Sequence, residues 1–114
     1  MPFICAKISE PLTEPQIEAI KTDFGKAISL LPGKSEAYLM VEVEDQCHLY
    51  FKGDCDAPTA MCEVSVFGKA PRDACEALTG AICESLQNNA GVSPSRCYVK
   101  FQFADTWGYD GYLF

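Results

Sequence analysis

The chain has 114 residues, 48% of them hydrophobic, and carries 16 acidic against 9 basic residues for a formal charge of −7. That is the length of one domain, residues 1–114, with enough apolar material for a core; burial between subunits would cover part of the large surface such a small domain leaves exposed. The acidic balance argues against a nucleic-acid binder, which needs a basic stripe to displace phosphate counterions, and against a protein that adheres to anionic membranes.

Residues 2–8 (PFICAKI) alternate as a strand with Ile4, Ala6 and Ile8 on one face. The start MPFICAKISEP lacks the basic residues, apolar run and small-residue site of a secretory leader, so the expected location is the cytosol, with any export by a route that leaves no mark in the sequence. No stretch approaches the roughly 20 apolar residues of a membrane helix. Pro11 breaks the strand, and Thr13 with Gln16 makes a capping box with Pro15 in the first turn. Ile17, Ile20, Phe24, Ala27, Ile28 and Leu31 then recur at helical spacing, which predicts a helix of about 17 residues ended by Pro32-Gly33. Gly25 inside it points to close packing. A second strand is predicted at 37–43, with Leu39, Val41 and Val43 on one face, and a short one at 47–51.

The second half repeats the plan. Residues 60–67 alternate as a strand with Cys62, Val64 and Val66 inward. A helix follows from about Asp73, with Ala74, Ala77, Leu78, Ala81, Ile82, Ser85 and Leu86 on one stripe, ended by Asn88-Asn89-Ala90-Gly91. Residues 96–103 form a last strand, with Cys97, Val99, Phe101 and Phe103 facing one way and Arg96, Tyr98, Lys100 and Gln102 the other. The pattern is two β-α-β units, an α/β fold with one four-stranded mixed sheet and both helices on one face. The opposite face then needs a cover, and a neighbouring subunit is the simplest. The ending, Trp107 to Phe114, is too aromatic for a solvated tail and should pack on this domain or a neighbour.

Seven cysteines without a leader favour reduced thiols, and none are spaced C-x-x-C. Cys5, Cys62 and Cys97 read as small buried hydrophobes. The lone His48 has no ligand partner at motif spacing, so no metal site is expected. Pro2 stands out once Met1 is removed, because its nitrogen is then a secondary amine, able to act as a base if apolar surroundings or cations lower its pKa. Lys34, just past the helix-ending glycine, supplies a cation; Tyr98 and Lys100 share the polar face of the last strand. Taken singly, each has an ordinary structural explanation.

Their order is similar to that of the macrophage migration inhibitory factor family over nearly the whole chain. The resemblance rests on Met1-Pro2, Gly33-Lys34 with Tyr38 following, Val66-Phe67-Gly68-Lys69, Arg96-Cys97-Tyr98-Val99, and Trp107-Gly108-Tyr109-Asp110-Gly111 with Phe114. It implies a homotrimeric barrel with sites at subunit interfaces and a tautomerase of phenylpyruvate or dopachrome type. Pro2 would be the catalytic base, and Lys34 would hold the substrate carboxylate or oxygen. Phe67 would contribute through its backbone amide and Tyr98 from the adjacent subunit. Trp107, Tyr109 and Phe114 would form an apolar wall for a small aromatic 2-keto acid or enol. Only a proton moves in such a reaction, so no cofactor is implied. The resemblance equally admits a cytokine-like signalling protein, with a cell-surface receptor and an incidental site, and a structural trimer with a dead site, against which the joint presence of Pro2, Lys34 and Tyr98 speaks. Three departures stand out: Lys100 where many relatives have asparagine, which would either add a second cation to the pocket or clash with the substrate; Thr59 where some have the first cysteine of a C-x-x-C, which predicts no thiol–disulfide activity; and Phe51-Lys52-Gly53-Asp54 in place of Phe-Gly-Gly-Ser.

Overall fold

The structure is a computed structural model that describes every residue, Met1–Phe114. Strands β1 (Pro2–Ile8), β2 (Met40–Glu44), β3 (Ala60–Phe67) and β4 (Cys97–Ala104) form one sheet in the order β2-β1-β3-β4. Helices α1 (Glu14–Ala27) and α2 (Arg72–Ala90) connect the parallel pairs β1–β2 and β3–β4, and β1 lies antiparallel to β3. Each β-α-β unit therefore makes its own parallel pair, and the two join through their first strands.

Period-two alternation places Ile4, Ala6, Ile8, Cys62, Val64 and Val66 on one face of the sheet, and all six are fully buried. They belong to one core with Ile20 and Phe24 of α1 and Leu78, Ile82 and Leu86 of α2. Each fully buried Val, Leu, Ile or Phe contributes about 1.5–3 kcal/mol of hydrophobic stabilisation. The α2 stripe is as predicted except at Ala77, which is exposed, its neighbour Cys75 packing against the core instead.

The α1 capping box is formed: Thr13 N–H donates to Gln16 Oε1 at 2.7 Å and Gln16 N–H to Thr13 Oγ1 at 3.4 Å. The α-helix stops earlier than the periodicity predicts, because Ile28–Leu30 tighten into a 3₁₀ turn, although Ile28 and Leu31 remain buried. Gly33 then reverses the chain with φ 77°. Gly25 is packed closely, as expected: a Cβ there would collide with the Glu36 carboxylate.

Three strand readings differ from the structure: β4 begins at Cys97 and not at Arg96, because Pro94–Arg96 form a 3₁₀ turn, and two more lie after α1. The second strand begins at Met40 and not at residue 37, since Glu36–Tyr38 form a 3₁₀ turn. The strand expected at 47–51 is absent. Gln46 adopts φ 56° and turns the chain off the edge of the sheet, and the Cys47 N–H instead ties back to the Ile8 carbonyl at 3.0 Å. A single bridge survives there, Phe51 with Asp54, closed by Lys52 (φ 52°) and Gly53 (φ 84°). Both turn residues have the positive φ that a two-residue hairpin turn requires. Cys5 and Cys62 are buried as predicted, whereas Cys97 is only half-buried at the start of β4.

The helix-free face of the sheet carries Met40, Phe3, Met61, Glu63, Tyr98 and Lys100, with Lys100 Nζ 3.4 Å from Glu63. No helix covers this face; the chain touches it only where Tyr38, Trp107 and Tyr109 border Phe3, Met40, Ser65 and Gln102, and where Phe51 meets Tyr98. The tail folds into a small hairpin, β5 (Gly108–Tyr109) and β6 (Tyr112–Leu113), through Asp110 (φ 53°) and Gly111 (φ 82°). Tyr109 and Phe114 touch Tyr38 and Phe67 yet stay 52% and 59% exposed, and Tyr112 and Leu113 are 79% and 73% exposed.

Candidate active site

Pro2 opens β1, where a residue without an N–H fits the first strand position. It sits buried opposite Val66 of β3. Two hydrogen bonds tie its surroundings together. The Phe67 N–H donates to the Met1 carbonyl at 3.0 Å, and Lys34 Nζ donates to the Phe67 carbonyl at 3.1 Å. The sharp stop at Leu31–Gly33 delivers Lys34 here, its own N–H bonding the Leu31 carbonyl at 3.1 Å. A cation and a backbone donor therefore converge on the N-terminal end of β1.

The electrostatics of that end favour a neutral amine. The amino group of Met1 is held below its ordinary value of 8.0, first by burial, then by the charge of Lys34 and by a hydrogen bond with it. All three causes penalise the protonated form. With Met1 present the Pro2 nitrogen is an amide. Cleavage of Met1 would turn it into an amine at the cleft and would also remove the acceptor of the Phe67 N–H, leaving that donor open.

Next to Pro2 lies an open cleft of about 720 Å³ lined by Tyr38, Met40, Ser65, Gln102, Trp107 and Tyr109, among others. It has the size of a small-molecule site, mostly apolar with a few polar groups. Tyr109 meets Tyr38 edge-on with centroids 5.9 Å apart and stacks on Phe114 at 6.2 Å; Phe114 in turn lies 6.0 Å from Phe67. Trp107 and Tyr109 line the cleft; Phe114, Phe67 and Lys34 lie outside its lining and connect to it through the Tyr109 ring and the Phe67 backbone. Sequence reasoning left Tyr38, Met40, Ser65 and Gln102 out of the site. Tyr38 carried one usable signal, an aromatic four positions after Lys34; Ser65 and Gln102 had none, being ordinary alternating strand residues.

Tyr98 and Lys100 lie elsewhere in the same chain. They pair with Met61 and Glu63, whereas the end of β3 nearest Pro2 pairs with Phe103. Tyr98 is five residue steps from Phe103 along β4, about 16 Å at the usual rise. Neither side chain reaches its own protomer's Pro2, so a site containing them needs a second copy of the chain. His48 is exposed in the irregular segment after β2.

A sequence profile of the macrophage migration inhibitory factor (MIF) family matches residues 1–112. The chain belongs to the macrophage migration inhibitory factor family. Solved structures agree in fold. MIF2 of Leishmania major is 24% identical with a TM-score of 0.92, over 100% of this chain and 97% of that one. The MIF of Toxoplasma gondii is 24% identical with a TM-score of 0.86, over 98% and 99%. Pt0534, solved in a form inactivated by 2-oxo-3-pentynoate, is 16% identical with a TM-score of 0.84, over 97% and 94%. No curated protein sequence matches the chain significantly. The MIF fold, two helices on one side of a four-stranded mixed sheet, is thus this chain's fold.

Proposed function

We propose that the chain is a homotrimeric keto–enol tautomerase acting on small aromatic 2-keto acids, with Pro2, exposed by loss of Met1, as its general base. The observation that carries the proposal is the convergence of Lys34 and the Phe67 N–H on the buried start of β1, beside an aromatic cleft. Membership of the MIF family supports isomerase chemistry in general terms. The inactivation of Pt0534 by a 2-oxo acid supports a 2-oxo acid as the class of ligand.

The chemistry is proton transfer. The uncharged Pro2 nitrogen takes the proton from the carbon next to the carbonyl, the carbon–carbon double bond forms, and the electron pair of the carbonyl moves onto oxygen. The Lys34 ammonium stabilises that oxygen or the neighbouring carboxylate, and the open Phe67 N–H takes the place of a second donor. Pro2 then returns the proton to oxygen; ketonisation runs the same steps backwards. Trp107, Tyr109 and Phe114 hold the flat ring of the substrate, and Tyr98 and Lys100 enter from the adjacent protomer.

The test is mass spectrometry of the purified chain's N-terminus beside a phenylpyruvate tautomerisation assay of wild type and Pro2→Gly. The expected result is a chain beginning at Pro2 that loses most of its rate in the variant. Full activity in a chain that retains Met1 would refute the proposal.

A further inference from the structure

The irregular segment after β2 is held by Arg96, the last residue of the 3₁₀ turn that leads into β4. Its Nε donates to Thr59 Oγ1 at 3.0 Å, one terminal nitrogen donates to the Asp54 carbonyl at 3.1 Å, and the other pairs with Asp54 Oδ1 at 3.1 Å. The side chain is only 14% exposed, so these bonds are shielded from water. The guanidinium also lies 5.4 Å from the centre of the Phe51 ring, with Lys52 Nζ 5.7 Å from the same ring. Phe51 is the first residue of the tight Phe51–Asp54 turn. Its ring meets Tyr98 edge-on, centroids 5.4 Å apart and planes at 78°. That contact is the aromatic pairing Tyr98 makes in its own chain, where its side chain is otherwise exposed.

We propose that Arg96 and Phe51 are positioning residues for Tyr98: the guanidinium fixes the turn and the Phe51 ring, and that ring fixes the direction in which Tyr98 reaches into the neighbouring protomer's cleft. The inference rests on the reading of Tyr98 as a substrate contact across the trimer interface. The physical case is one of cost. A tyrosine on an exposed sheet face has its rotamers free, and ordering it on substrate binding reduces affinity; a ring already held edge-on by a neighbour has lost that freedom beforehand. Arg96 suits the task because its planar fork can bond three acceptors while presenting a face to an aromatic ring, which a lysine ammonium cannot do. The hairpin turn supplies the rest, since the positive φ values at Lys52 and Gly53 bring Asp54 back beside Phe51.

The experiment measures kcat and KM for phenylpyruvate in the full trimer, for Phe51→Leu, Arg96→Lys and Tyr98→Ala, singly and with each of the first two combined with Tyr98→Ala. Phe51→Leu leaves the arginine's bonds in place and keeps the fold testable if Arg96→Lys is unstable. The expected result is a KM raised about fivefold by Phe51→Leu and by Arg96→Lys with kcat little changed, the size of one lost aromatic contact. Both effects should disappear in the Tyr98→Ala background. A purely structural anchor predicts lowered melting temperature with KM unchanged, or effects of equal size with and without the Tyr98 ring, and either overturns the proposal. If Tyr98→Ala itself leaves KM at the wild-type value, the cross-interface role of Tyr98 falls and this proposal with it. The base is decided separately, by Pro2→Gly.

Discussion

Replacing Lys34 by methionine keeps the length of the side chain and removes one charge and the donor that meets the Phe67 carbonyl at 3.1 Å. Two consequences follow. A hydrogen bond from a charged group contributes about 1.5–3 kcal/mol, and each 1.4 kcal/mol is a factor of ten, so the loss in kcat/KM lies between about 10-fold and 100-fold. Lys34 is half-buried, so solvent screening puts the expected value near the lower end, about tenfold. The second consequence is in pH. A base works only when unprotonated, so the rate rises with pH through its pKa. The positive charge of Lys34 is one of the causes that lower the Met1 amine, and a Pro2 amine freed one residue along would face the same charge. Without it the amine holds its proton to higher pH, and the acid limb of kcat/KM must move upward. The assay is phenylpyruvate ketonisation followed from about pH 5 to 9. A Lys34→Met enzyme with kcat/KM within about twofold of wild type and an unmoved acid limb would remove Lys34 from the site.

Lys100→Asn should move the same limb less than Lys34→Met does, because Glu63 at 3.4 Å already offsets the Lys100 charge; an equal or larger shift would make Lys100 the dominant cation. Trp107→Ala should raise KM for aromatic keto acids more than for aliphatic ones, since the indole lines the cleft; equal changes for both would place the ring of the substrate elsewhere. Gly25→Ala should leave the melting temperature unchanged or raise it. The group in the way is the far end of an exposed glutamate that can swing aside, and alanine gains up to about 1 kcal/mol in a helix interior. A fall of several degrees would mean that Glu36 is held in place. Reduction of insulin should be no faster with the wild-type protein than with Cys62→Ser, because Thr59, at 5% exposure and bonded to Arg96, stands where a resolving thiol would be needed.

The fold was legible where period alone decides the outcome. Ile4, Val64 and Val66 alternate, Ile20 and Phe24 recur every fourth residue, and these patterns fixed the sheet, both helices and the two parallel pairs. The misread stretches are those where a tertiary contact overrides local preference. Residues 47–51 have the composition of a strand, but the positive φ at Gln46 turns them away from β2, and the Cys47 N–H goes to the Ile8 carbonyl, so no ladder forms. The start of β2 was placed three residues early for a similar reason, since Glu36–Tyr38 coil tightly next to α1.

Legibility of the candidate site followed the same division. Residues with unusual chemistry or position, Pro2, Lys34 and the aromatic tail, could be singled out in the sequence. Ser65 and Gln102 could not, because their place in the cleft depends on the register of β3 and β4. The link from Arg96 through Phe51 to Tyr98 was also invisible: it joins a turn to a strand more than forty positions away in sequence, through a geometry only the folded chain shows.

Inserting one alanine between Met1 and Pro2 tests the central claim most directly, because the processed chain then begins with alanine and the proline nitrogen becomes an amide. A positioned base is worth about 10²–10⁴ in rate, so phenylpyruvate tautomerisation should fall at least about 100-fold while the circular dichroism spectrum and trimer mass stay the same. A folded trimer with this insertion and an undiminished rate would contradict the account.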